Sequence, residues 1–356
     1  MDCDRDCGML PGMDGDPHPF RLNRRDLRGV LLLSLGQLIA WAGLYYLFAA
    51  LLLTWETETG WTKPELTLAL ALAVFASGLA APLVGRVIDA GQGPRLIGLV
   101  TAAGGMMVIA LPYAPGLTAF YGLWCLIGLS NAGALYEACF ALVTRTLGDR
   151  ARRGITIITL IAGFASMVSF SGAAALTSLL GWQTAVQIFG ALVVFVAAPA
   201  SWTGARMLER AGRSAPPPKT PAPVTRPRTG SAVLLLLAST FPMMALNHGI
   251  VLNHLLPLLD ERGLAPTTAV LAASLIGPMQ VAGRIVMMLV EHRLSTLAAT
   301  LTSFAGVLIA ALLLLASQMA PALVFCAVVL QGAAYGLISI MKPVIIAQLM
   351  GPDGIA

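Results

Sequence analysis

Of the 356 residues, 57% are hydrophobic and only 11% are charged, mean hydropathy is +0.82 and the formal net charge is +5. Soluble chains carry about 25% charged residues, so a water-soluble fold of this length is excluded. Weak alternating segments of about 10 residues, the mark of a transmembrane β-barrel, are missing. Long apolar runs predict instead an all-α polytopic membrane protein whose solvent is the lipid bilayer.

The chain opens on a polar tail, residues 1–28, acidic to about Asp16 and then basic in RLNRRDLR. The apolar run that follows is too long for a signal-peptide core and reads as a retained anchor. Runs bounded by charge, Pro and Gly predict ten spans, near 29–54, 65–85, 95–113, 117–144, 154–180, 183–207, 232–259, 267–290, 295–317 and 320–347. Arginines gather before span 1, in the 2–3, 4–5 and 6–7 connections, and at Arg293 between spans 8 and 9. The other side holds Lys63 and Arg262 beside Glu56, Glu58, Glu65, Asp260 and Glu261. The positive-inside rule then puts both ends of the chain in the cytoplasm. The predicted organisation is the tail, a six-helix half over 29–208, a Pro-rich basic linker over 209–230, and a four-helix part over 231–356. The linker reads as an extended tether near anionic lipid.

Cys125, Cys139 and Cys326 lie in apolar runs and read as structural thiols, with no metal spacing and no disulfide framework. No nucleophile with a base, no metal cluster and no phosphate loop stands out, so enzyme activity, a metal and a cofactor are not expected. Topology accounts for the positive charge, so nucleic acid is not expected as a partner, and the chain reads as a monomer.

Between spans 2 and 3 stands GRVIDAGQGPR. Its Gly85, Arg86, Asp89, Gly93 and Arg95 resemble the loop pattern of the major facilitator superfamily, with the second glycine one place late. Six spans, a long basic linker and further spans fit that resemblance, which implies a fold of two pseudo-symmetric helical halves packed as parallel repeats. The loop form, an arginine inside span 8, and Tyr136, Phe140 and Arg145 leading out of span 4 resemble bacterial monocarboxylate-porter-like members. A bacterial inner membrane is implied with them. Three features depart from those members: Gln280 stands where they often carry an acid, span 1 has no lysine, and the usual acidic-Gly entry motif is missing. The resemblance also implies twelve spans, so ten point to a truncated chain lacking spans 11 and 12, although spans 1, 4, 7 and 10, which line the family's cavity, are present. The family uses Asp89 to hold a gate closed, and the implied partner here is Arg145. An internal echo, GRVIDAGQGPRL against GRIVMMLVEHRL, pairs Gly85 with Gly283; counting from the helix starts pairs Gly85 with Met288 instead.

Polar groups inside a membrane usually face the bundle interior or a cavity. In span 1, Ser34, Gln37, Trp41, Tyr45 and Phe48 form one helical stripe, readable as a cavity wall or as packing aromatics with one satisfied amide. In span 4, Glu137 is the one acid deep in a span. A desolvated carboxylate there is a candidate proton-coupling group, with a structural ion pair as the bland alternative. Asn131 lies on another face. In span 7, Asn247 and His254 share a face and His248 points elsewhere, while Pro242 and Pro257 are expected to kink or end the helix. In span 10, Gln331, Tyr335, Ser339 and Lys342 form a stripe, with Lys342 equally readable as snorkelling. Arg284 in span 8 sits roughly 10 Å inside the cytoplasmic end at about 1.5 Å per residue. Its planar fork suits a carboxylate, either a substrate's or that of Glu137, against the plainer reading of a gate brace.

Three functions follow. The first is a secondary transporter working by alternating access on a small organic anion such as a monocarboxylate, with proton symport an open option. The second is an exporter of hydrophobic compounds, for which Trp41, Tyr45 and Phe48 would suit. The third is a non-transporting receptor or assembly protein with a transporter fold.

Overall fold

A computed structural model describes residues 22–213, 231–290 and 295–350, and these form ten helical rods with no strand among them. Side chains at 149, 212–213, 231–235, 237–238, 296 and 339–350 are outside the description. The tail to residue 21, linker residues 214–230, Arg293, and the side chains of Ser339 and Lys342 therefore lie outside the described residues. Span 1 is Arg24–Thr59, and the run Lys63–Tyr113 holds spans 2 and 3. Spans 4, 5 and 6 are Leu117–Leu147, Ala151–Leu180 and Trp182–Ala211, the last extended as helix to Arg213. Spans 7 to 10 are Ser231–Glu261, Pro266–Val290, Thr296–Ala316 and Leu323–Met350. Seven segments among the described residues are long and apolar enough to cross a bilayer, with Lys63–Tyr113 counted as one.

Local chemistry sets the ends. The Asn23 side chain caps span 1 by accepting from the Asp26 N–H at 2.7 Å. Asp26 is itself buried and ion-paired with Arg150, which ties the start of span 1 to the 4–5 connection. Thr62 and Glu65 close a capping box at the start of span 2. Ser295 caps span 9. Prolines do not end span 7 as expected: the helix continues through both Pro242 and Pro257. Neighbouring spans can shelter the main-chain groups that such prolines leave unpaired in a membrane helix.

Span 5 is interrupted at Gly163–Phe164 and span 6 contains a π-turn at Val193–Ala197, and three further irregularities decide where the site's side chains point. Span 1 contains a π-turn at Ala42–Tyr46, which adds a residue to the helical register. Span 4 is broken at Leu135, extended at φ −93° and ψ −165°, between helices Leu117–Ala134 and Tyr136–Leu147. The turn between spans 2 and 3 hinges on Gly91 at φ +79°, a left-handed conformation favouring glycine. The glycine this turn requires is thus Gly91. Gly93, matched to the motif from the sequence, is instead close-packed, with a Cβ there only 2.7 Å from Leu142.

Lipid tails are as apolar as leucine, so helices in a bilayer associate through close packing and polar contacts. Glycine supplies the close packing. A Cβ on Gly277 of span 8 would stand 2.1 Å from the carbonyl oxygen of Gly163 in span 5. One on Gly336 of span 10 would stand 2.3 Å from the Gln280 carbonyl, and one on Gly283 would stand 2.2 Å from that of Ala333. Spans 5, 8 and 10 are thereby pressed together. Ser166 accepts the Gly277 N–H at 2.9 Å, and Ser171 and Ser274 are 2.9 Å apart, which binds span 5 to span 8 further. On the face away from the 2–3 turn, Lys63 pairs with Glu261 at 2.8 Å and joins the start of span 2 to the end of span 7.

Candidate functional site

The π-turn of span 1 and the break of span 4 face each other, and each is bridged by an amide from the opposite span. Gln37 Nε2 donates to the Ala134 carbonyl at 2.7 Å, and Asn131 Nδ2 donates to the Leu44 carbonyl at 3.4 Å. Ser169 of span 5 donates to the Ala42 carbonyl at 2.9 Å. Irregular helical turns loosen main-chain carbonyls, which must find partners within the protein. Gln37 and Asn131, expected on a cavity wall, therefore clamp spans 1 and 4 together; their Oε1 and Oδ1 atoms are buried without a hydrogen-bond partner among the described residues.

The extra residue in the π-turn also divides the predicted stripe of span 1. Phe48 leaves it and packs edge-on against Trp55 and Trp124, with ring centroids 5.7 and 5.0 Å away, in a second aromatic cluster. Tyr46 enters its place. Trp41 stands 5.2 Å from Tyr45, 5.9 Å from Tyr46 and 4.8 Å from Tyr136, and Tyr136 stacks on Phe140 at 4.9 Å. An aromatic floor is thus built by spans 1 and 4.

Spans 7, 8 and 10 bring a polar chain to that floor. His248 lies flat on Tyr335, ring centroids 3.6 Å apart and planes 9° from parallel. Its Nε2 is 3.2 Å from Gln280 Nε2. Arg284, 2% exposed, donates to the Thr159 carbonyl of span 5 at 2.6 Å and approaches Gln280 Oε1 at 3.5 Å. The Tyr136 hydroxyl is within hydrogen-bonding reach of Arg284, and Tyr46 and Tyr335 feel its charge. Three of the six tyrosines of the chain, Tyr46, Tyr136 and Tyr335, therefore gather around one guanidinium, and Tyr45 stands beside Tyr46. Arginine only donates, so the Gln280 oxygen belongs on the Arg284 side and its NH₂ on the His248 side. That arrangement makes His248 Nε2 an acceptor and puts the imidazole proton on Nδ1, a buried atom without a partner among the described residues.

Several expected positions change. His248, expected to point elsewhere, is in the cluster. His254 is half-buried and takes no part in it. Asn247 accepts from Gln331 Nε2 at 3.2 Å, linking spans 7 and 10 beside the site. Glu137, expected to be enclosed, is exposed on the bundle, in the first turn of the helix after the span 4 break. It lies within electrostatic reach of Tyr45, Tyr136 and Tyr335. No ion pair joins Glu137 to Arg284; the pairs among the described residues are Lys63–Glu56, Lys63–Glu261 and Arg150–Asp26. In the 2–3 turn, Arg145 donates to the Ile88 carbonyl, and its guanidinium lies 3.4 Å from where a Cβ on Gly91 would stand. It grips the main chain there and does not pair with Asp89, which is exposed, as are Arg86 and Arg95. Gly85 is half-buried, with open space where a Cβ would go. Spans 2 and 8 both begin 22 residues before the paired positions Gly85 and Met288, as their starts at Lys63 and Pro266 show. Equal depth thus favours that pairing, and Arg284 sits about one turn deeper than Arg86.

Sequence reasoning missed His248, Tyr46, Thr159 and Asn253. The Tyr45 hydroxyl lies beside Asn253 and 3.6 Å from the Cβ position of Gly249. A signal existed for one of them, because adjacent polar residues such as Asn247 and His248 cannot both face lipid. Thr159 contributes a carbonyl, which no side-chain pattern marks.

A membrane-embedded helical bundle with a cationic, tyrosine-lined site between its first six and last four spans is the architecture of a membrane transporter. The sequence profile of the Major Facilitator Superfamily matches residues 33–356, and the chain belongs to that superfamily. This places it among integral membrane transporters and not among enzymes. No curated protein sequence matches it as a relative. Among solved structures it is similar to a bacterial homologue of the human lysosomal transporter Spinster, inward-facing and occupied, with TM-score 0.57 and 14% identity over 94% of this chain and 77% of that one. It is also similar to the nucleoside transporter NupG, with TM-score 0.56 and 13% identity over 94% and 84%. The xylose transporter XylE of E. coli, partially occluded and inward-open, gives TM-score 0.60 and 11% identity over 93% and 88%. At such identities these likenesses show the fold.

Proposed function

We propose that the protein is a secondary transporter that moves a small organic anion by alternating access, with Arg284 holding the anionic group and Trp41, Tyr45, Tyr46 and Tyr136 packing against an apolar or aromatic body. The observation that carries this reading is the buried Arg284 ringed by phenols and an amide between the first six and last four spans. A guanidinium in that setting presents charge and directional donors to a carboxylate while neutral tyrosines leave that charge available to the ligand. One charge beside one aromatic floor matches the chemistry of a monocarboxylate. Glu137, exposed and within reach of three of the tyrosines, is the candidate group for proton symport. The resemblance to bacterial porters and the arginine-rich loops support a bacterial inner membrane with both ends cytoplasmic. They also support a division into an N-terminal half over 29–208 and a C-terminal part from 231.

Uptake of a panel of labelled aliphatic and aromatic monocarboxylates into proteoliposomes tests this. Arg284→Gln is expected to lower uptake about 10- to 100-fold, the loss of a charged hydrogen bond, while Arg284→Lys retains part of it. Correctly folded Arg284→Gln protein with unchanged anion uptake would remove Arg284 from the site.

A further inference from the structure

We propose that a pocket between spans 3 and 6, outside the central site, binds the phosphate headgroup of an anionic phospholipid. The pocket measures about 470 Å³ and is lined by Gly91, Gln92, Pro94 and Arg95 of the 2–3 turn with Trp202, Arg206, Glu209 and Arg210 at the end of span 6. Three arginines against one glutamate give it net positive charge, and it lies over the first turn of the helix Gly93–Ala110, whose free N–H groups favour anions. The Arg206 guanidinium lies 4.9 Å above the ring of Trp202, which holds that cation at the mouth. Trp202 is anchored in turn, since a Cβ on Gly98 would stand 2.8 Å from its own Cβ.

The surface leading away from the mouth indicates a lipid as the source of the phosphate. Leu99 and Met106 of span 3, seven residues apart, are exposed, and so are Phe195 and Trp202 of span 6 at the same spacing. Leu99 is 71% and Phe195 75% exposed. Exposed apolar side chains on the two spans that form the pocket thus lie beyond it along the bundle, and acyl chains can lie on them while the headgroup meets Arg95 and Arg206. A basic pocket between spans, with a tryptophan at the interfacial level and apolar walls beyond it, is how anionic headgroups are held at a membrane surface.

Brominated acyl chains quench nearby tryptophans, so the test reads the fluorescence difference between the full chain and Trp202→Phe in vesicles. The two vesicle series carry the same brominated chains on phosphatidylglycerol or phosphatidylcholine. Phosphatidylglycerol is expected to quench Trp202 at a mole fraction on the order of ten-fold lower. The Arg95→Gln/Arg206→Gln double variant is expected to lose that preference while phosphatidylcholine still quenches it, which shows the fold is kept. Arg153→Gln, an arginine of the 4–5 connection, is expected to keep it. Equal quenching of the unaltered chain by the two lipids overturns the proposal, as does a preference that survives in the double variant. Loss of the preference in millimolar inorganic phosphate overturns the lipid assignment in favour of a soluble anion.

Discussion

Arg284 is held by a main-chain carbonyl and an amide, with the Tyr136 phenol beside it. Gln280 occupies the place where an acid would turn this setting into an internal ion pair. Replacing it by one, Gln280→Glu, is expected to neutralise Arg284 locally and weaken anion uptake about ten-fold or more; uptake at several substrate concentrations checks this, and an unchanged KM speaks against anion binding at Arg284. Gln37 and Asn131 make the opposite case, as polar residues deep in the membrane that serve the scaffold. Gln37→Leu leaves the Ala134 carbonyl unpaired and is expected to cost about 1–3 kcal/mol of stability. Thermal denaturation in detergent measures that cost, and the KM of the protein that folds is expected to stay near the original.

At the scale of elements, the π-turn in span 1 and the break in span 4 decide which side chains meet. Each displaces its helix from regular geometry, and each is bridged by the other span's amide, so the two are expected to be lost together. Gln37→Leu and Asn131→Leu combined are expected to destabilise less than the sum of the single changes, a coupling a double-mutant cycle reads. Spans 5 and 8 depend on contact without side chains at Gly163 and Gly277. Gly277→Leu places a side chain against the Gly163 carbonyl, 2.1 Å from a Cβ, and is expected to abolish folded protein. Gly78→Leu, at a glycine with open space around it, is the control, and size-exclusion profiles of the two compare them.

The molecule as a whole is tied across its two sets of spans by the span 5–span 8 serine contacts and, nearer the two faces, by two longer side chains. Arg284 reaches Thr159 near the 2–3-turn side, and Lys63 reaches Glu261 on the far face. The Lys63–Glu261 tie is surface-exposed, and pairs of that kind contribute roughly 0–1 kcal/mol, enough to bias a conformational equilibrium without deciding stability. Glu261→Lys is expected to open the far face and raise cysteine accessibility at positions near Tyr45. Lys63→Glu in the same chain is expected to restore closure, whereas accessibility unaffected by either change would separate this ion pair from gating.

How far the sequence reached differs between these scales. The hydropathy runs determined ten helical rods, because a bilayer leaves a spanning chain no other way to pair its main-chain groups, and the rods stand within a few residues of the predicted limits. Arg284, Gln280, Tyr335, Trp41 and Tyr45 were legible as candidates because a polar group inside an apolar run has few places to face, and the structure brings them close together. The tertiary structure alone decided that His248 and Tyr46 join them, that Phe48 leaves, that Gln37 and Asn131 are clamps, that Glu137 is exposed, and that Arg145 grips Ile88 and leaves Asp89 unpaired. A helical wheel assumes 3.6 residues per turn along an unbroken axis. One inserted residue at Ala42–Tyr46 and one extended residue at Leu135 shift every face beyond them, and it is the packing of span 1 on spans 4 and 5 that satisfies those two irregularities.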